Sequence, residues 1–227
     1  MKKNKFLVLS ITVIMTGAVL ISTGCIINKI ILNNSSKALE EMNNFTEDMI
    51  SRNQGIDAVY DYDAISDLDL VNIIRNAQND HTKYIIGQII IEDISLNLPI
   101  LKGTTNSNLS VGAATMKEDQ QMGEGNYALA GHYNKNPHVL FGGIMNIKKG
   151  SIIFLTDKKF IYEYRVYDTY ITNDKATDML SDAKSIEKGT PIITLMTCYY
   201  SSKTGKRYFV VGEYITKYHY NADLLDS

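Results

Sequence analysis

Pro191-Ile192-Ile193-Thr194-Leu195-Met196-Thr197-Cys198 is a β-type run that ends on a cysteine. A polar, turn-prone loop follows, from Tyr199 to Lys206. Arg207 then opens a second apolar run, Tyr208-Phe209-Val210-Val211-Gly212-Glu213-Tyr214-Ile215. Two such runs joined by a short loop read as neighbouring strands. They would hold a thiol and a guanidinium together at one end of a sheet. A permanent cation beside a thiol lowers the cysteine pKa and stabilises a developing oxyanion.

Working outward, the same strand composition extends back to Lys83. Tyr84 to Ile91 and Ile94 to Leu101 read as a hairpin closed at Glu92-Asp93, with Leu98-Pro99 at an edge because proline cannot donate to a ladder. Asn126 to Gly131 forms a strand that ends on His132. His138 to Met145 reads as a short helical turn. Ser151 to Thr156 and Phe160 to Ile171 make the next pair, with Tyr162, Tyr164, Val166 and Tyr170 on one face by alternation. Thr177 to Leu180 reads as one helical turn. Roughly eight short strands with few helices point to a mainly β fold, a closed or nearly closed barrel.

The 227 residues suffice for one domain plus an appendage. A formal net charge of -2 and the lack of a basic block beyond the first few residues argue against nucleic-acid binding. Lys2, Lys3 and Lys5 precede an uncharged, mostly apolar run from Phe6 to Asn28. At about 1.5 Å per residue that run can cross a roughly 30 Å hydrocarbon core, and the lysines keep the N-terminus cytoplasmic. The expected organisation is a cytoplasmic tail over 1–5, a transmembrane anchor over 6–28, a stalk and lead-in helix over 29–82, a barrel over 83–220 and a polar tail over 221–227. Two alternatives to the uncleaved anchor are a cleaved signal peptide and a lipoprotein. The first meets no A-x-A-type site, and the second meets Ser22 at a position where a Leu-type residue is usual in a lipobox ending on Cys25.

Within 33–82, Leu39, Met42, Phe45 and Met49 recur at helical spacing, with Ser35 or Ser36 as N-cap and Gly55 as breaker. Ile65, Leu68, Val71 and Ile74 suggest a second helix that packs on the domain.

Cys25 and Cys198 are the two cysteines, and Cys25 lies in the apolar run. The exported part thus carries one unpaired thiol, which is either a reactive group or a small buried hydrophobe. Cys198, His132 and Arg207 supply a nucleophile, an acid/base and an oxyanion donor, each at the expected end of a strand. Thr197 could donate its hydroxyl to a substrate backbone or orient Arg207, and Ala130, two residues before His132, is a candidate substrate contact. His81, His138 and His219 fall in polar loops or near chain ends and read as solvated. No Cys/His cluster has metal-ligand spacing, so neither a metal nor a cofactor is expected.

Thr194-Leu195-Met196-Thr197-Cys198 resembles the T-L-x-T-C motif of sortases, the membrane-anchored transpeptidases of Gram-positive bacteria. Ala130-Gly131-His132 is similar to their histidine motif, and Arg207 stands where their arginine stands. The resemblance covers about Tyr84 to Lys217. It implies an eight-stranded sortase barrel that cleaves surface proteins at a Leu-Pro-x-Thr-Gly-like sorting signal. It implies that Cys198 forms a thioacyl intermediate, that Arg207 holds substrate and oxyanion, and that His132 is the acid/base. An amine of a peptidoglycan precursor would then resolve the acyl-enzyme. The N-terminal anchor and the polar tail are most like class A, with class D, and a Leu-Pro-x-Thr-Ala-like signal, as the runner-up. No Asp-Pro-aromatic lid motif of class C precedes the barrel. Glu118 and Asp119 alone do not make the acidic cluster by which some class A members bind calcium. A non-catalytic anchored binding domain is the reading from a different class.

Overall fold

Eight strands close into a barrel in the computed structural model, which describes residues 2–67, 70–76 and 79–222. The strands are β1 (Ile85–Ile91), β2 (Leu96–Leu101), β3 (Ala113–Thr115), β4 (Asn126–Ala130), β5 (Ile152–Thr156), β6 (Phe160–Asn173), β7 (Ile192–Cys198) and β8 (Lys206–His219). Around the barrel the order is β1-β2-β3-β4-β7-β8-β6-β5, and β5 pairs back onto β1. Closure leaves no free edge. Even Pro99 fits: it pairs with Gln88 on the β1 side, and β3 joins β2 only from Ile100 onward.

The β1–β2 hairpin turns through a 3₁₀ turn over Glu92–Ile94, and further 3₁₀ turns form at Ile144–Asn146 and Thr177–Leu180. Tyr162, Tyr164 and Val166 are buried as alternation requires, but Tyr170 is exposed. The cause is a register shift between Val166 and Asp168 against β8, a bulge that turns the rest of β6 to its other face.

The strand pleat separates two apolar layers. Leu129, Leu195 and Val210 point into the barrel with Ile89, Ile91, Tyr127 and Phe141. Ala128, Ala130, Met196, Cys198 and Phe209, one residue out of phase, point outward and form the floor of a second cluster. This outer floor is where the site lies.

The expected short helix of the N-terminal region is the end of a much longer one. A single helix, α1, runs from Lys2 to Asn43, so Ser35 and Ser36 lie inside it rather than capping it. Its apolar first half meets the length and hydropathy of a membrane span, and that window is not buried in the protein. Its second half is part of the domain. Ala38 and Met42 are buried against Ile85, Leu101 and Val111, and the buried Ser35 hydroxyl donates to the Val111 carbonyl. The cap falls instead at Thr46, whose hydroxyl accepts from the Met49 N–H to start α2 (Glu47–Gln54). The second expected helix is α3 (Leu70–Asn76), and it begins after Ile65. Leu68 and most of the expected polar tail lie outside the described residues.

If the second half of α1 is a structural member of the barrel, Met42→Ala should destabilise residues 29–222 by about 2–5 kcal/mol through transfer and cavity costs. A thermal-unfolding midpoint unchanged within error would show that this helix only leans on the domain.

Candidate active site

β7 sits between a parallel neighbour and an antiparallel one, and the two registers assemble the site. Against β8, Cys198 pairs directly with Arg207. Against β4, Met196 pairs with Ala130, so His132 and Cys198, each two residues further on, come level on adjacent strands. A period of two puts all three side chains on the outer face. Two hydrogen bonds beyond the strand ladder hold this end together. The Gly131 N–H donates to the Met196 carbonyl at 3.0 Å, and the Thr197 hydroxyl donates to the Gly131 carbonyl at 2.8 Å.

Thr197 is therefore fully buried and already partnered; its hydroxyl ties the histidine strand to the cysteine strand and does not reach Arg207. Ala130 is likewise buried, in the groove floor. Gly131 has a steric reason: a Cβ there would fall 2.4 Å from the Phe141 ring. His81 and His219, by contrast, lie elsewhere, the first against the Asn76 carbonyl and the second beside the Phe160 ring.

The groove is occupied by the chain itself. Residues 60–67 cross it as a strap. It starts at a bridge between Tyr60 and Thr104 and makes a 3₁₀ turn over Tyr62–Ala64. Ala64 and Ile65 then enter the outer apolar cluster with Leu109, Ala114, Met116, Leu180 and Met196. The Ile65 carbonyl accepts from Arg207 Nη2 at 2.9 Å and from Cys198 Sγ at 3.5 Å. The Tyr62 hydroxyl donates to Met196 Sδ, and the Asp67 carboxylate accepts from Ser201 Oγ and the Ser202 N–H in the β7–β8 loop. Sequence reading placed Ile65 on a packing helix and missed this contact.

Covering the site sets its protonation. Cys198 is 1% exposed and His132 2% exposed. Burial pushes the Cys198 thiol up, against the pull of the Arg207 charge. Burial also pushes His132 down to about 4, against the Ser66 backbone and the Asp67 carboxylate, which favour the imidazolium. Asp67 itself stays below the usual carboxylate range: burial opposes this, but its bonds to Ser202 and Ser201 prevail. Under the strap the pair is thus a neutral thiol and a neutral imidazole at neutral pH. Arg207 is 6% exposed, and its Nε and Nη1 make no hydrogen bond among the described residues. A buried cation with two unpartnered donors is costly unless a ligand takes them.

Among the described residues no group of three or more His, Cys, Asp or Glu could hold a metal ion. Beside Glu118 and Asp119, the Lys117 ammonium instead bridges the β3–β4 loop to Asp182 of the β6–β7 connection at 2.6 Å.

A thiol and a guanidinium that share one peptide carbonyl, with an imidazole level with the thiol on the next strand, make a constellation suited to acyl transfer. Comparison with known proteins agrees. Residues 89–215 match the family model of the sortase domain. Sortase A of Listeria monocytogenes is 34% identical over 205 residues, covering 90% of this chain and 89% of that one. Sortase A of Bacillus anthracis is 44% identical over 143 residues, 63% of this chain and 65% of that one. The crystal structure of the Listeria enzyme superposes with a TM-score of 0.57 at 38% identity, over 62% of this chain and 94% of that one. Sortase C-3 from Streptococcus pneumoniae, at 20% identity and a TM-score of 0.56, shares the fold. The chain belongs to the sortase family of cysteine transpeptidases, and within it is most like sortase A.

The shifted groups make the strap pH-dependent. His132 has a depressed pKa when covered, so its contribution is present above about 6.5 and is lost as pH falls toward 4. Cys198 has a raised one, so its contribution is full below the ordinary thiol range and is lost above it. Asp67, the carboxylate facing His132, stays ionised across the acid window. Hydrogen exchange of residues 60–67 should therefore speed up between pH 7.5 and 5, after correction for intrinsic rates. His132→Gln should flatten that dependence; an equally steep profile in the variant would assign it to another group.

Proposed function

We propose that this sortase cleaves surface proteins at a Leu-Pro-x-Thr-Gly-like signal through a thioacyl-enzyme on Cys198, and that it transfers them to a peptidoglycan amine on the outer side of the membrane. One observation carries the reading: a peptide carbonyl, that of Ile65, accepts from both Cys198 and Arg207. A substrate carbonyl in the same position would meet a nucleophile and a charge-assisted donor at once.

The steps follow from the three side chains. Once the strap leaves, solvent restores His132 and Cys198 toward their ordinary pKa values. The thiol proton passes to His132 as Sγ attacks the signal's threonine carbonyl carbon, and Arg207 holds the oxygen as it becomes an anion. Collapse breaks the C–N bond, and His132 protonates the departing glycine amine. The acceptor amine then attacks the thioester, its proton goes to His132, and the C–S bond breaks to release the thiolate. Ala130 and its neighbours in the groove floor would carry the apolar part of the signal. The helix α1 would anchor the enzyme with its N-terminus in the cytoplasm.

Incubation with a Leu-Pro-x-Thr-Gly peptide should give a mass adduct on Cys198 that disappears when an amine is added. Cys198→Ala should leave fold and strap intact and form none. Arg207→Lys, which keeps the charge but not the planar fork, should lower kcat by about 10²–10³. An adduct only with Leu-Pro-x-Thr-Ala peptides would favour the class D signal. A folded enzyme acylated by neither would leave a binding domain.

The strap must vacate the carbonyl position for any of this. Ile65→Ala removes the buried side chain that anchors it, and should raise the rate of Cys198 alkylation by tenfold or more; an unchanged rate would show that the strap is already open in solution.

A further inference from the structure

Nothing separates the apolar half of α1 from the half that packs on the barrel. Leu9, Val13, Leu20 and Ile21 are exposed, Ile27 and Ile30 pack against the barrel core, and Ile31 is buried, all within one unbroken helix. At the changeover, the Asn28 side-chain oxygen accepts from Asn134 Nδ2 at 3.0 Å. Asn134 lies two residues after His132 on the β4–β5 connection.

The lengths are restrictive. A hydrocarbon core of about 30 Å takes about 20 residues at 1.5 Å each. Counted from Phe6, the first residue past the lysines, it ends near Cys25. Asn28 then stands about 5 Å beyond, within a headgroup layer about 5–7 Å deep. The chain from Asn134 back to His132 adds at most about 7 Å. The opposite end of the barrel, where Met42 packs against Ile85 and Leu101, lies about 21 Å further along the same helix.

We propose that the barrel is seated directly on the bilayer, with the β4–β5 connection at Asn134–His138 in the lipid headgroup layer and the candidate active site opening at headgroup height. The proposal rests on α1 being a membrane anchor. The partner surface is the phosphate-bearing headgroup layer. Lys29 and Lys135 are exposed on the two segments that Asn28 and Asn134 join, and long ammonium side chains at this depth reach the phosphates. The seating fixes which substrates are within reach: an acyl donor and an amine acceptor that are both held at the membrane, met without a long tether.

The test uses the full chain carrying Cys25→Ser and Cys198→Ala, reconstituted in phosphatidylcholine/phosphatidylglycerol vesicles. A spin label is placed singly at Gly17→Cys, Lys135→Cys or Arg52→Cys, the last on the exposed face of α2. Power saturation with oxygen and a nickel chelate then reads depth. The label at 17 should be oxygen-accessible and nickel-protected, that at 135 intermediate, and that at 52 as in bulk water. Eight Gly/Ser residues inserted between Ile26 and Ile27 should move the label at 135 into bulk water and leave 17 unchanged. A label at 135 that matches 52 while 17 remains in lipid overturns the seating and keeps the anchor. Nickel access at 17 overturns the anchor, and the seating with it.

Discussion

The parallel pairing of β4 with β7 is the constraint on which the site depends. Antiparallel β7–β8 pairing alone would bring a thiol to a guanidinium, because a short loop suffices to join those strands. A histidine from residue 132 reaches the same level only because a strand far away in sequence runs in the same direction, in register from Asn126 opposite Ile192 to Ala130 opposite Met196. Parallel neighbours need a long crossover. Here the crossover contains β5 and β6, which close the barrel on the other side. The barrel is thus the means by which the three groups meet, and Thr197 and Gly131 secure the last rung.

Much of this was legible in the chain. The runs at 126–130, 192–198 and 206–219 have strand composition, and each candidate residue stands at a strand end, where rigid backbone gives way to groove. Tyr170 was misplaced because alternation cannot register the extra residue of a bulge. Ile65 was misplaced for a related reason. Its spacing to Leu68, Val71 and Ile74 fits a helical period, and pattern alone cannot reveal that a neighbouring groove offers that side chain a better burial site. The local cue was Asp61, whose side chain accepts from the Asp63 N–H in a tight turn. Long-range hydrogen bonds such as Ile65 to Arg207 leave no periodic trace at all.

The strap and the chemistry use the same physics in opposite directions. An apolar cover lets Ile65 and Ala64 replace water on the groove floor, but among the described residues it gives Arg207 one carbonyl for its Nη2 and no hydrogen-bond partner for Nε or Nη1. It also removes charge from the two groups that would move a proton. The covered site is therefore well packed but electrostatically unsatisfied. That imbalance gives a substrate able to engage the free donors an advantage over the strap.

Burial of Cys198 has a further consequence outside catalysis. On the outer side of the membrane, where the proposed function places it, a thiol would meet oxidants without a reducing pool around it, and the cysteine oxidation ladder starts from an accessible thiolate. The remaining cysteine, Cys25, lies on the apolar stretch of α1 and offers no resolving partner. A sulfenic acid formed at Cys198 would have no disulfide to fall back on and would proceed toward irreversible states. Kept 1% exposed and protonated beneath residues 60–67, the sulfur is shielded between turnovers, so the lifetime of the enzyme as an oxidisable molecule is set by how seldom the strap opens.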